Sequence, residues 1–304
     1  MIPSFPAFKK LDLSDRPHVE SCTRPFASYS DYNFASLWCW DTSETCQISL
    51  LHGNLVVQFK DYESDDHFYS FIGNNALMET TEVLITHAER QGIAGHLRLI
   101  PEVVVQNDPR LRQRFLVQED RENFDYVCRL PDMAALVGRP YETKRHEINR
   151  FRRLCEADFL LIDLSRKEAQ DALLALFDLW VANKHPSARE ESHFELSAIK
   201  RLFTLGTFSD LVCQGIFIQD VLRGFAISER RDSCSDVLLH FWKADINFPG
   251  IYSQLAHLVA SHWVQQGAEF LNWEQDLGHP GMAQAKQSWR PCHFLKKYTI
   301  SPNS

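Results

Sequence analysis

Two tight hairpins constrain this chain more than any other feature. Cys46 to Leu51 and Asn54 to Phe59 flank His52-Gly53, and Leu211 to Ile218 and Val221 to Ser228 flank Gln219-Asp220. Runs of this length rich in β-branched and aromatic residues read as strands, and a two-residue separation reads as a hairpin turn, with Gly53 supplying positive φ. A third strand follows each hairpin, His67 to Ile72 and Val237 to Trp242. Then come a stretch of helical spacing, Thr80 to Gln91 and Gly250 to Gln266, and one more strand, His96 to Ile100 and Phe270 to Trp273. Sequential hairpins argue against a doubly wound parallel sheet. The spacing predicts a mixed α/β (α+β) chain with largely antiparallel sheets, built from two copies of one unit.

The remaining elements fit the same plan. Asp31 to Trp40, Arg166 to Asn183, Phe194 to Leu205 and Pro280 to Trp289 carry apolar residues at helical intervals. Val103 to Leu116 is expected to be helical in part, and Phe124 to Leu130, Phe159 to Asp163 and Phe294 to Ile300 read as strands. Between the halves lies Arg139 to Arg153, which is strongly basic and helical from Thr143 onward, with Ile148, Phe151, Leu154 and Cys155 on one face. The domain junction is placed here, giving residues 1–138 and 139–304 as two domains. With 304 residues, 44% hydrophobic, and 21 Phe and 7 Trp, there is material for a sizeable core.

Charge and cysteine usage exclude several classes. The formal net charge of -8 disfavours a protein that coats duplex nucleic acid nonspecifically. Cys22, Cys39, Cys46, Cys128, Cys155, Cys213, Cys234 and Cys292 form no CxxC and read as reduced, mostly buried thiols of a cytoplasmic protein. No secretory leader and no apolar run of membrane-spanning length is expected, although contact with a membrane surface stays open. No metal site is expected: His257 and His262 are not at i,i+4, there is no HExxH, and Cys292-His293 stands isolated. GxGxxG, the P-loop and GxSxG are also absent.

Two loops could carry chemistry. In the first, Val237 to Tyr252, a strand ends and a helix begins after Pro249-Gly250. The amides at such a helix start attract phosphate or carboxylate. Asn247, Gly250, Ile251 and Tyr252 lie where acetyltransferases of the GNAT superfamily carry a pyrophosphate-binding loop, to which this stretch is similar in its central glycine only. In the second, Asn272 to Gly278 follows a strand and places the carboxylates of Glu274 and Asp276 in one loop. The helix after it sets Lys286 and Arg290 at i,i+4, with Met282, Ala285 and Trp289 as its buried side.

Asn272-Trp273-Glu274-Gln275-Asp276-Leu277-Gly278, with Gly281, Ala285-Lys286, Ser288 and Pro291 after it, resembles the C-terminal domain of phosphatidylglycerol lysyltransferases. So do His240-Phe241-Trp242-Lys243-Ala244 and the segment Lys144-Arg145-His146-Glu147-Ile148-Asn149-Arg150-Phe151. Leu11 to Pro17 and Ser30 to Ala35 match as well, so the resemblance runs over nearly the whole chain. Trp242 stands where that family usually has Glu, and Trp273 where it often has Arg; Met282-Ala283-Gln284 replaces the usual Leu-Arg.

The resemblance implies two tandem GNAT-like domains with the active site in the second. It also implies transfer of an acyl or aminoacyl group from an activated donor to a hydroxyl or amine acceptor, a small molecule or a lipid head group. No cofactor is then required; aminoacyl-tRNA or acyl-coenzyme A is the donor substrate. On this reading Lys243 and Lys286 supply positive charge, and Glu274 or Asp276 orients the acceptor or takes its proton. Lys144, Arg145, Asn149, His240, Gln275 and Arg290 join the loop residues in binding. Two alternatives stand beside it: a coenzyme A-dependent N-acyltransferase, and a binding protein on a transferase scaffold that no longer turns over.

Overall fold

The computed structural model describes residues 1–61, 65–183, 187–205, 210–230 and 235–303, and for 187–191 the backbone alone. Cys234 lies outside the described residues.

In chain order the strands are β1 (Lys9–Lys10), β2 (Gln47–Leu51), β3 (Asn54–Lys60), β4 (His67–Ile72), β5 (Leu97–Pro101), β6 (Phe115–Glu119) and β7 (Asp125–Arg129). They continue as β8 (Asp158–Ile162), β9 (Leu211–Ile218), β10 (Val221–Arg230), β11 (Asp236–Ala244), β12 (Phe270–Asn272), β13 (His293–Leu295) and β14 (Lys297–Pro302). The helices are α1 (Arg16–Thr23), α2 (Phe34–Trp40), α3 (Leu77–Arg90), α4 (Glu102–Asn107), α5 (Arg110–Arg114), α6 (Leu130–Ala135), α7 (Glu142–Leu154), α8 (Lys167–Ala182), α9 (Ser187–Phe203), α10 (Ile251–Gln265) and α11 (Pro280–Gln287).

Both hairpins form where the turn residues place them. His52 and Gly53 have φ of 52° and 82°, and Gln219 and Asp220 have 52° and 61°. Positive φ at both central residues matches the right-handed twist of the flanking strands. Each hairpin continues to a third antiparallel strand: β2, β3 and β4 in one sheet, β9, β10 and β11 in the other. A helix, α3 or α10, then carries the chain to a strand parallel to the third, giving the pairs β4–β5 and β11–β12. The result is two seven-stranded mixed sheets, ordered β1-β2-β3-β4-β5-β14-β6 and β13-β7-β12-β11-β10-β9-β8.

The strand beyond each parallel pair differs from expectation. β14, near the C-terminus, pairs antiparallel with β5, and β7 pairs antiparallel with β12. Accordingly the chain divides into one unit of Met1–Asp125, Gln275–Pro280 and Phe294–Ser304, and another of Tyr126–Glu274 and Gly281–His293. This differs from a single junction at 138/139. The strand predicted over Phe124 to Leu130 belongs to the second sheet, and most of the one predicted over Phe294 to Ile300 to the first. Ladder partners are a long-range property that a short apolar run does not announce.

The first unit packs Val56, Phe71, Leu84, Ala88, Leu97, Ile100, Val104 and Ile300 into a core between its sheet and α3. In the second, Leu173 and Phe177 of α8, Ile199 and Leu202 of α9, Phe225 and Leu238 of the sheet, and Leu255 and Val259 of α10 are all buried. Two sequence expectations fail locally. Leu154 is 63% exposed, because α7 ends there and only Ile148 and Phe151 face inward. α11 stops at Gln287, so Met282 and Ala285 are exposed while Trp289, beyond the helix, is buried.

Candidate functional site

In the second unit, β11 and β12 run parallel and pair only over Asp236–Leu238 and Phe270–Asn272. β11 continues to Ala244. The other strand stays with β7: Trp273 N donates to Tyr126 O at 2.8 Å, and Tyr126 N to Glu274 O at 3.2 Å. The carboxyl ends of the two strands therefore part, and such ends are where open α/β sheets take ligands.

The His240 side chain reaches across the opening. The β10–β11 register shifts between Ile227 and Ser228, with Phe241 opposite Ile227 and Leu239 opposite Ser228. His240 is the extra residue, and a bulge of this kind re-aims a side chain. Its Nε2 lies 3.0 Å from Glu229 Oε2, and its Nδ1 lies 3.1 Å from Glu274 Oε1. Burial alone would push the His240 pKa down; hydrogen bonds and charge from Glu229 and Glu274 more than offset that and raise it to about 9. Glu274 sits at φ 59°, held by its amide donating to Asn272 Oδ1 at 2.7 Å. A non-glycine residue in this region is strained, and such residues concentrate at functional sites.

Beside this array stands an aromatic row. The Trp242 ring meets Tyr252 at 5.1 Å and Trp273 at 4.7 Å, Trp273 stacks on Trp289 at 6.1 Å, and the Lys144 ammonium lies 5.0 Å from the Trp289 ring. Trp242 and Trp273, two of the departures from the family pattern, thus pack on each other. The Tyr252 hydroxyl accepts from Ala244 N at 3.2 Å, and burial pushes its pKa up to about 12.

The other anticipated residues separate. Lys243 pairs with Glu195 Oε1 at 2.6 Å and lies 4.1 Å above the Trp180 ring. Lys286 is buried and donates to Trp273 O at 2.6 Å, whereas Arg290 is exposed at φ 58°, so they do not form an i,i+4 pair. Arg145 donates to the carbonyls of Leu136 and Gly138 and closes α6, while Asn149 is exposed. Asn247 is exposed and donates to Asp245. The start of α10 is occupied from within the protein. A Cβ at Gly250, where φ is 90°, would lie 2.1 Å from Glu147 O. The Glu147 carboxylate accepts from the Ser253 hydroxyl, and the amide of buried Ile251 donates to Phe248 O.

Gln275 and Asp276 belong to the first unit, not with Glu274. Gln275 donates to Asp31 Oδ1 at 2.7 Å, and Asp276 accepts from Arg121 at 3.4 Å and from Gly278 N at 2.9 Å. Asp31 in turn pairs with Lys297, which also donates to Asp125 at 2.8 Å. Burial works against the Lys297 charge, but the two aspartates raise its pKa. Composition and spacing missed Glu229, Glu195 and this lysine cluster. Glu229 follows the strand read as Val221 to Ser228, and only the register shift between β10 and β11 brings it to His240.

Among the described residues no helix is long and apolar enough to cross a membrane. The family model described as phosphatidylglycerol lysyltransferase, C-terminal, matches residues 23–301. No curated protein matches the chain. Among solved structures, a conserved protein of unknown function from Bacteroides thetaiotaomicron is 25% identical, with TM-score 0.84 and 100% of both chains covered. The C-terminal domain of a putative lysylphosphatidylglycerol synthetase from Agrobacterium fabrum is 13% identical, with TM-score 0.65, covering 96% of this chain and 92% of that one. L-PGS from Bacillus licheniformis is 12% identical, with TM-score 0.63, covering 97% and 93%. The fold is that of GNAT-like acyltransferases.

Proposed function

Since the chain belongs to the phosphatidylglycerol lysyltransferase C-terminal family, we propose that it is an aminoacyltransferase that moves an aminoacyl group from charged tRNA to a hydroxyl or amine acceptor. The observation that carries this reading is Glu274, set in a strained turn at the parted ends of β11 and β12 and partly open to solvent. The donor ester is already activated, so the protein needs to align the acceptor and manage one proton. Glu274 accepts the proton of the acceptor O–H or N–H as that atom attacks the ester carbonyl. The new C–O or C–N bond forms, the ester C–O bond to the tRNA ribose breaks, and the proton returns from Glu274 to the ribose hydroxyl. No covalent enzyme intermediate is required.

Coenzyme A is disfavoured as donor because Glu147 brings a carboxylate and a carbonyl to the helix start where pyrophosphate would sit. One observation favours a second reading, binding without turnover: the contact between Trp242 and Trp273 puts indoles where the family usually carries charge. The same contact argues for an acceptor or amino acid different from those of lipid-modifying relatives.

The test is a transfer assay with tRNA charged with labelled amino acids, one amino acid at a time, against phosphatidylglycerol vesicles and soluble amines. Label should move to an acceptor with the native protein and stay on tRNA with Glu274→Gln. Transfer from acyl-coenzyme A instead would overturn the choice of donor, and saturable tRNA binding without transfer would establish the second reading.

A further inference from the structure

We propose that Glu229 and His240 are positioning residues, a buried pair that fixes the Glu274 carboxylate in one orientation at the parted ends of β11 and β12. This rests on the reading that Glu274 handles the acceptor proton, and extends it to two residues of β10 and β11.

The geometry dictates the protonation state. Each ring nitrogen of His240 lies within hydrogen-bond distance of a carboxylate oxygen. A neutral imidazole has one donor and one acceptor nitrogen, so one carboxylate would face a lone pair. With Glu229 and Glu274 both ionised, both contacts are favourable only when both nitrogens carry hydrogen. His240 is then an imidazolium between two carboxylates, and its upward-shifted pKa agrees with that. The side chains of Glu229 and His240 are each 2% exposed, against 12% for Glu274. Glu274 is therefore the member of the three that an acceptor can reach most readily. Glu229 holds the ring from behind, as the acidic partner does in carboxylate–histidine pairs elsewhere. The bulge supplies the rotation that brings the ring between the two acids. On the far side, Asn272 fixes the Glu274 backbone. Held by the imidazolium on one oxygen, the Glu274 carboxylate keeps one orientation toward the acceptor and toward the leaving hydroxyl to which the proton returns.

The experiment is a nitrogen-15 NMR titration of the His240 ring in the full chain, assigned by comparison with His240→Gln. The native protein should show both ring nitrogens protonated at pH 7.5. Glu229→Gln should lower the midpoint by about 1 unit or more. A single neutral tautomer at pH 7.5 in the native protein overturns the proposal even if Glu229→Gln does not fold. So does an unchanged midpoint in a folded Glu229→Gln. In the transfer assay, Glu229→Gln should lose about 10–100-fold in kcat with KM little changed. Its alkaline limb should move to lower pH, and Glu229→Asp should recover part of the rate. Native transfer with an unaltered kcat–pH profile in Glu229→Gln defeats the proposal and leaves the transferase reading standing. No transfer by the native protein defeats that reading, while the ring spectrum still decides the proposal.

Discussion

Each unit of this protein buries a cation between two carboxylates, and the two constellations behave differently. In the first, Lys297 lies between Asp31 and Asp125, with side chains 1%, 10% and 0% exposed, and Ser30 and Gln275 add hydrogen bonds. In the second, His240 lies between Glu229 and Glu274 at the end of a parted strand pair. A lysine whose pKa is raised keeps its charge across the physiological range, while burial lifts Asp31 to about 6, so the first set is a tie at neutral and alkaline pH and changes charge only on acidification. A histidine lifted to about 9 can still lose its proton in mildly alkaline solution, so the second set can change state. Similar charges thus serve cohesion in one place and, on the proposed mechanism, proton transfer in the other.

The comparison can be broken at its strongest point first. Lys297→Met leaves two buried aspartates without their cation and should cost about 3–5 kcal/mol in urea denaturation. A loss under about 1 kcal/mol would mean that the first cluster is not a tie. Lys286→Ala comes next. It removes a buried donor from the Trp273 carbonyl and should cost about 1–3 kcal/mol, a loss of stability that precedes any loss of activity.

The pH dependence separates the two clusters directly. His240 gains protons on folding, because its folded pKa of about 9 exceeds the ordinary value of 6.5. Its stabilising contribution is complete below pH about 6.5 and is lost as pH rises through about 9. The native Tm should fall across that window, and the fall should shrink in His240→Gln. An equal fall in both proteins would assign the pH effect elsewhere. The smallest expected change is Trp242→Phe, which weakens ring contacts with Tyr252 and Trp273 and should cost about 0.5–1.5 kcal/mol by thermal melting.

Local chemistry made much of the fold legible. The hairpins were readable because turn residues and alternation are local, and α10 was readable from its periodicity. The partners of β7 and β14 were not, since each is a five- or six-residue strand whose neighbours lie far away in sequence. In the site, Glu274 stood out as a carboxylate in the loop after a strand, and His240 through the resemblance of its segment to the family. Glu229 was hidden because only the bulge brings its carboxylate to the ring. Lys286 and Arg290 were paired on paper by a helix that stops one residue past Lys286. Gln275 and Asp276 shared a loop with Glu274, but each is held by the first unit.

The placement of β14 has a consequence for biosynthesis. The first sheet needs residues 297–302 between β5 and β6, and these are made long after either neighbour. Many multidomain chains complete their leading portion while the rest is still being made. Here the leading portion must wait, with β5 and β6 lacking their shared neighbour, until the chain has been extended through β14.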